Sequence, residues 1–267
     1  MVIFRYEMKN HLKYILTWAI VIAVCIFSMT PLYYGMMESA ASSDHSFYEA
    51  LASRDFFKSA GMSMNYLSKP LGIYGFLTAF FAIATGIFGL HFGISVHTKE
   101  CSERTAEYLF TKPCARGEIF RAKAAAVFCG VLIVGLAFSA ASLLSLILFR
   151  SGFSLREFLL IANSLLLLTL LFAAMGLLIG VLFSNNRSPL LTAGLIVFTE
   201  YCITSFSRVV GSEAIGVLSP YSFFNMAEFA QAGFYDGKYL LWYGLLLAVF
   251  LLAAHRVFLK KDVRFRS

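Results

Sequence analysis

The sequence predicts an all-α membrane protein with six transmembrane helices. Hydrophobic residues make up 59% of its 267 residues and charged residues only 14%, with a mean hydropathy of +0.76. A soluble domain carries about 45–50% apolar and about 25% charged residues. Six apolar runs match or approach the ~20 residues needed to cross a hydrocarbon core about 30 Å thick. The basic residues also segregate to one side of those runs.

The runs cover residues 14–33, 71–96, 124–149, 158–183, 190–206 and 239–258. Leu, Ala and Met dominate them, and no ten-residue alternating pattern appears, which excludes a β-barrel. A soluble globule of this composition would expose large apolar patches. A disordered chain carries far less apolar surface. The first run is longer than a signal-peptide core and lacks an A-x-A site, so it is expected to stay as a permanent span. The fifth is short and contains Glu200.

With the N-terminus inside, fifteen Lys and Arg residues fall on the inner side and seven on the outer. This satisfies the positive-inside rule and puts both termini in the cytoplasm. The net charge of +7 then follows from topology and needs no nucleic-acid partner. The five cysteines are Cys25, Cys101, Cys114, Cys129 and Cys202. Their odd number and the absence of CxxC exclude a disulfide framework. His97, Cys101 and Cys114 share one polar loop, but their spacing fits no structural zinc pattern well.

Four longer polar segments precede or join the spans. In residues 1–13, Phe4, Met8, Leu12 and Ile15 recur at helical spacing beside Arg5, Lys9 and Lys13, as expected of an interfacial amphipathic helix. Residues 34–70 form a large outer loop with no catalytic grouping. Residues 97–123 carry eleven Lys, Arg, Glu or His. Ala106, Leu109 and Phe110 predict a short amphipathic helix there. Pro113 interrupts it and suits the start of a second helix, running through Arg116, Glu118 and Phe120 into the third span. Taken alone, this segment fits either a docking elbow or a solvated linker. Residues 207–238 are too apolar for a plain loop. They predict two short helices broken at Pro220, dipping into the outer leaflet, or a surface loop with a hydrophobic tuck.

Within the spans, Glu200 is the only acidic residue. A mid-bilayer charge costs at least about 2.5–3.5 kcal/mol on insertion scales. Glu200 therefore either contacts a cation or substrate in a pathway or is a hydrogen-bonded carboxyl holding two helices. Arg208 lies two turns on. Ser139, Ser142 and Ser145 form a stripe that either lines a polar path or bonds back to its own helix. His91 reads as a packing residue. Gly89 and Gly93, and Gly176 and Gly180, make G-x-x-x-G pairs expected at close helix seams.

The run Glu103-Arg104-Thr105-Ala106-Glu107-Tyr108-Leu109, followed by Lys112-Pro113, Ala115-Arg116, Ile119 and Lys123, resembles the loop of bacterial ABC-2 type transporter permeases. Ala115 stands where that family often has a serine able to cap the following helix. The resemblance extends over the whole layout, including Leu218-Ser219-Pro220 before the last span. It implies an ABC-2 (type V exporter-like) architecture in a bacterial cytoplasmic membrane. The permease would be paired with a second copy or a related permease and bound by two ATPase subunits. It also implies that Glu103, Arg104, Thr105, Glu107, Leu109, Phe110, Pro113, Arg116 and Glu118 form a coupling helix and its continuation that seat in the ATPase. Glu200, Ser139 and Ser142 are then pathway candidates.

No G-x-x-x-x-G-K-[ST] phosphate loop occurs. ATP and Mg are therefore expected on the partner subunit, with no cofactor, metal site or catalytic residue on this chain. The spans contain no H-E-x-x-H, G-x-S-x-G or paired carboxylates, so a membrane enzyme lacks its cooperating groups. A stand-alone channel or carrier, and an ABC-linked sensor or anchor without transport, remain as alternatives.

Overall fold

A computed structural model describes residues 2–41, 71–102, 115–149, 152–224 and 234–260. Its six long helices are α1 (Val2–Ala41), α2 (Gly72–Ser102), α3 (Arg116–Phe149), α4 (Leu155–Leu182), α5 (Pro189–Val210) and α6 (Gly237–Lys260). All six are long and apolar enough to cross a membrane. Each contains or closely tracks one of the apolar runs.

Local chemistry sets several of the ends. Ser154 caps α4, its hydroxyl accepting from Glu157 N, and Glu157 sits in the favourable first turn. Pro189 opens α5, and Gly211 closes it with a φ of 73°, a conformation glycine adopts without steric cost. At α6 the Asp236 carboxylate accepts from Lys238 N at 2.9 Å.

The principal contact is α2 against α4, followed by α1 against α3; α6 lies on α4 and α5 on α2. The four seam glycines explain the first pairing. A Cβ on Gly93 would stand 2.5 Å from Ala173 O, one on Gly89 2.7 Å from Thr169 O, and one on Gly180 2.8 Å from Ile94 O. A Cβ on Gly176 would run into Leu90 O. The two G-x-x-x-G pairs thus face one another and let the backbones touch. Around this seam lies an aromatic core. Tyr74 stacks on Phe158 at 5.3 Å, and Phe88 and Phe92 are both fully buried.

One sequence expectation changes here. The N-terminal segment is not a separate interfacial helix: α1 continues from Val2 to Ala41 without a break, about 60 Å at ~1.5 Å per residue. Its inward face there is Glu7 (4% exposed), with Ile15 continuing it, whereas Leu12 is 41% exposed. The segment is drawn onto the bundle by a charge rather than by its full apolar stripe. The helices extend into the stretch 97–123 from both sides. α2 runs on to Ser102, and α3 starts at Arg116 and continues unbroken into the third span, as the Pro113 reading expects.

Pro31 lies inside α1. It has no N–H, so the carbonyl of Phe27 loses its in-helix donor. Ser145 on α3 supplies the replacement, its hydroxyl donating to Phe27 O at 3.1 Å. In hydrocarbon no water can do this, so the proline is matched by a serine on the neighbouring helix.

Candidate functional site

Two polar regions stand apart from the apolar bundle, one near each end. The first gathers at the roots of the segment between α2 and α3. Glu103, Arg104, Thr105, Glu107, Leu109, Phe110 and Pro113 lie outside the described residues. Arg116 and Glu118 open α3. Arg116 Nη1 donates to Leu259 O at 3.5 Å, giving a donor to a carbonyl at the end of α6. Glu118 is exposed in the first turn of α3, where the helix dipole favours it. Ala115 offers no capping hydroxyl. Its main-chain carbonyl accepts from Glu118 N and Ile119 N instead.

Lys123 holds this end together. As one of the loop's positive charges it would be expected in water, yet it is fully buried. Its Nζ lies 3.1 Å from Glu7 Oε1 and donates to Val96 O at 2.7 Å. His11 Nε2 lies 3.6 Å from the other oxygen of Glu7. One ammonium thus ties α1, α2 and α3. Beside it, His97 stacks on Phe120 at 5.7 Å and meets Phe258 at 5.4 Å, while His255 meets Phe120 at 5.3 Å. These rings bring in α6. A buried ion pair with one partner removed leaves an uncompensated charge, at about 3–5 kcal/mol. The sequence did hold a hint, since Glu7 and His11 sit four apart on one helical face. Nothing local pointed to a partner 116 positions away.

The second region is the tuck after α5. A four-residue helical turn (Glu213–Gly216) leads to a 3-10 turn (Pro220–Ser222). Residues 225–233 lie outside the described set. Ser219, Pro220, Tyr221, Phe223 and Phe224 are all buried. The Tyr221 hydroxyl donates to Ala82 O on α2 at 3.3 Å, and its ring packs on Phe172 at 5.3 Å. Burial first, then the nearby Glu200 and Tyr201, pushes the Tyr221 hydroxyl well above its ordinary range. It therefore stays a neutral donor. Phe224 packs edge-on against Tyr235 and Tyr243. The described part shows two single helical turns on either side of the break before Pro220, with a buried apolar side, and fits either sequence reading.

The Ser219 hydroxyl donates to the main-chain oxygen of Glu200 at 2.8 Å. This is the acceptor that a threonine four residues on would normally use. Thr199, Thr169 and Thr78 all bond back to their i−4 carbonyls. Thr204 does not: it is fully buried and its hydroxyl has no partner. The Glu200 Oε2 and Ser205 Oγ atoms are also buried without partners.

Two hydroxyls of the serine stripe bond back to their own helix. Ser139 donates to Gly135 O at 2.9 Å, and the fully buried Ser142 to Phe138 O at 2.7 Å. Their hydroxyls serve their own helix, and Ser145 serves Phe27. His91 Nδ1 shares a hydrogen bond of 2.7 Å with the Tyr14 hydroxyl, as a packing residue does. His97 lies against rings, while Cys114 falls outside the described residues. Among the described residues no cluster of three His, Cys, Asp or Glu can hold a metal.

A family model described as "ABC-2 family transporter protein" matches residues 1–263. No curated protein matches the sequence. The match takes in all six helices, both polar regions and the intervening stretch 103–114. The chain therefore belongs to the ABC-2 transporter family, as a multi-pass membrane component of an ABC system whose ATPase is a separate partner.

Proposed function

We propose that this chain is the permease subunit of an ATP-driven exporter, with both termini in the cytoplasm of the cell that holds it in its cytoplasmic membrane. Two copies, or one copy and a related permease, enclose the pathway. Two ATPase subunits carry ATP and Mg and dock below. Glu103, Arg104, Thr105, Glu107, Leu109, Phe110 and Pro113 form the contact. Its apolar members fill a groove and its charges set the fit. Arg116 and Glu118 carry the contact into α3.

The observation that supports this coupling is the Lys123 knot. Both chain ends of the 103–114 segment enter helices joined to each other and to α1 through one buried ammonium. A push on the segment then moves three helices as one body. At the other end, the Glu200 Oε2 atom and the Thr204 hydroxyl, both buried without a hydrogen bond, stand beside the tuck, where a passing substrate group can take them as partners. Ser139 and Ser142, with hydroxyls already engaged, serve helix packing in this reading.

Co-purification tests the docking. Glu107→Lys combined with Leu109→Ala is expected to release the ATPase from the detergent-purified complex while the permease still elutes as a folded species. Full co-purification of that variant would remove the docking site. A permease that moves substrate with no ATPase bound would favour a stand-alone carrier. ATPase stimulation without flux would favour a sensor.

A further inference from the structure

The turn between α4 and α5 borders a cleft of about 820 Å³, within the usual range of ligand sites. Its walls are graded. Ile179 and Leu182 on α4 and Ile196 on α5 form an apolar side, and Phe183 stands at its edge. Asn185 and Arg187 lie at the turn. No acidic residue lines it. The turn is already built: Asn186 donates to the Thr192 hydroxyl at 2.9 Å and accepts from Ser188 N at 3.0 Å. Among the described residues Arg187 has no hydrogen-bond or ion-pair partner. Its guanidinium is an uncommitted cation beside exposed apolar surface, with Phe183 64% and Leu182 47% exposed.

We infer that this cleft holds one anionic phospholipid of the cytoplasmic leaflet, its phosphate on Arg187 and an acyl chain along Ile179, Leu182 and Ile196. A guanidinium matches a phosphate with paired N–H donors. The apolar wall lies on the two helices that flank the turn carrying the charge. A phospholipid has the same order of parts, a phosphate just outside its hydrocarbon. A soluble anion would have no use for the apolar wall. The cytoplasmic leaflet is also the one that attracts juxtamembrane cations. The inference rests on the proposed orientation and is independent of export.

The test uses the full chain in vesicles of phosphatidylcholine mixed with phosphatidylglycerol, with retained lipids identified by native mass spectrometry. The parent is expected to keep phosphatidylglycerol in preference to phosphatidylcholine. Arg187→Gln is expected to lower that preference about fivefold, the weight of one interfacial cation. Ile196→Trp, which fills the cleft, is expected to remove the retained lipid of both kinds. Unchanged preference in Arg187→Gln, or retention in Ile196→Trp, would overturn the assignment. So would displacement of the lipid by millimolar inorganic phosphate, which would make the site one for a free anion. Disulfide-linked dimers of Asn185→Cys would overturn it in favour of a second copy as occupant. Maleimide that cannot cross membranes should add mass at Asn185→Cys only from the cytoplasmic side. Labelling from outside would sink the orientation, and with it the leaflet, separately from the lipid preference.

Discussion

The two polar regions differ in one respect that separates their roles. At the α2–α3 end the Lys123 ammonium is satisfied by a carboxylate at 3.1 Å and a carbonyl at 2.7 Å, while the buried His11 Nε2 makes no hydrogen bond and lies 3.6 Å from the Glu7 carboxylate. At the α5 end three polar atoms, Glu200 Oε2, Thr204 Oγ1 and Ser205 Oγ, are buried without one. A satisfied buried network fixes a shape, whereas an unsatisfied one carries a cost that a ligand can relieve. In the proposed function the first region is the joint that transmits movement and the second is where a substrate group binds.

This contrast can be broken most directly at Lys123. Lys123→Met strands the Glu7 carboxylate and is expected to destabilise the detergent-solubilised protein by about 3–5 kcal/mol. Adding Glu7→Gln should recover most of that loss, because a buried pair replaced on both sides is often near neutral. Thermal unfolding followed by size exclusion reads both. Equal losses in the single and double variants would mean that the pair is not the joint.

A smaller effect belongs to Ser145. Ser145→Ala leaves the Phe27 carbonyl opposite Pro31 without a donor, at about 1–3 kcal/mol. Pro31→Ala restores an in-helix donor and should rescue it, which a simple cavity would not. Smaller again is Ser219→Ala. It frees the Glu200 carbonyl for Thr204 but also removes the hydroxyl that accepts from Tyr221 N at 3.4 Å, so the expected net loss is about 1 kcal/mol. If the tuck depends on that bond, the loss will be larger and proteolysis within 212–238 will accelerate.

The least change in stability is expected for Glu200→Gln, since its Oε2 holds nothing. The same variant should lower transport in vesicles. A fall in melting temperature with unchanged flux would make Glu200 a structural carboxyl and erase the contrast between the two ends.

The helices were legible because hydropathy acts on each stretch of chain separately. α4 and α5 begin within a few residues of the runs at 158 and 190. α1 and α3 overshoot theirs because a helix continues past the bilayer wherever a packing partner receives it. The glycine pairs were legible too, since a four-residue spacing places both on one face. Lys123 was not: among Arg116, Glu118 and Arg121 it looks like one more solvated charge. Neither was the duty of Ser145, which lies in a proline on another helix.

The linear chain alone thus determined the number of crossings, their approximate extents and the glycine faces that meet. These depend on transfer from water to lipid and on helical periodicity, both local quantities. Only the packed bundle decided which charge is buried and which serine mends which helix. It also decided that Tyr221 and its neighbours fill a gap beside α2 and α4 while one oxygen of the Glu200 carboxyl, Oε2, goes without a hydrogen bond. Those outcomes depend on distances between residues far apart in the chain, which arise only once the helices are side by side.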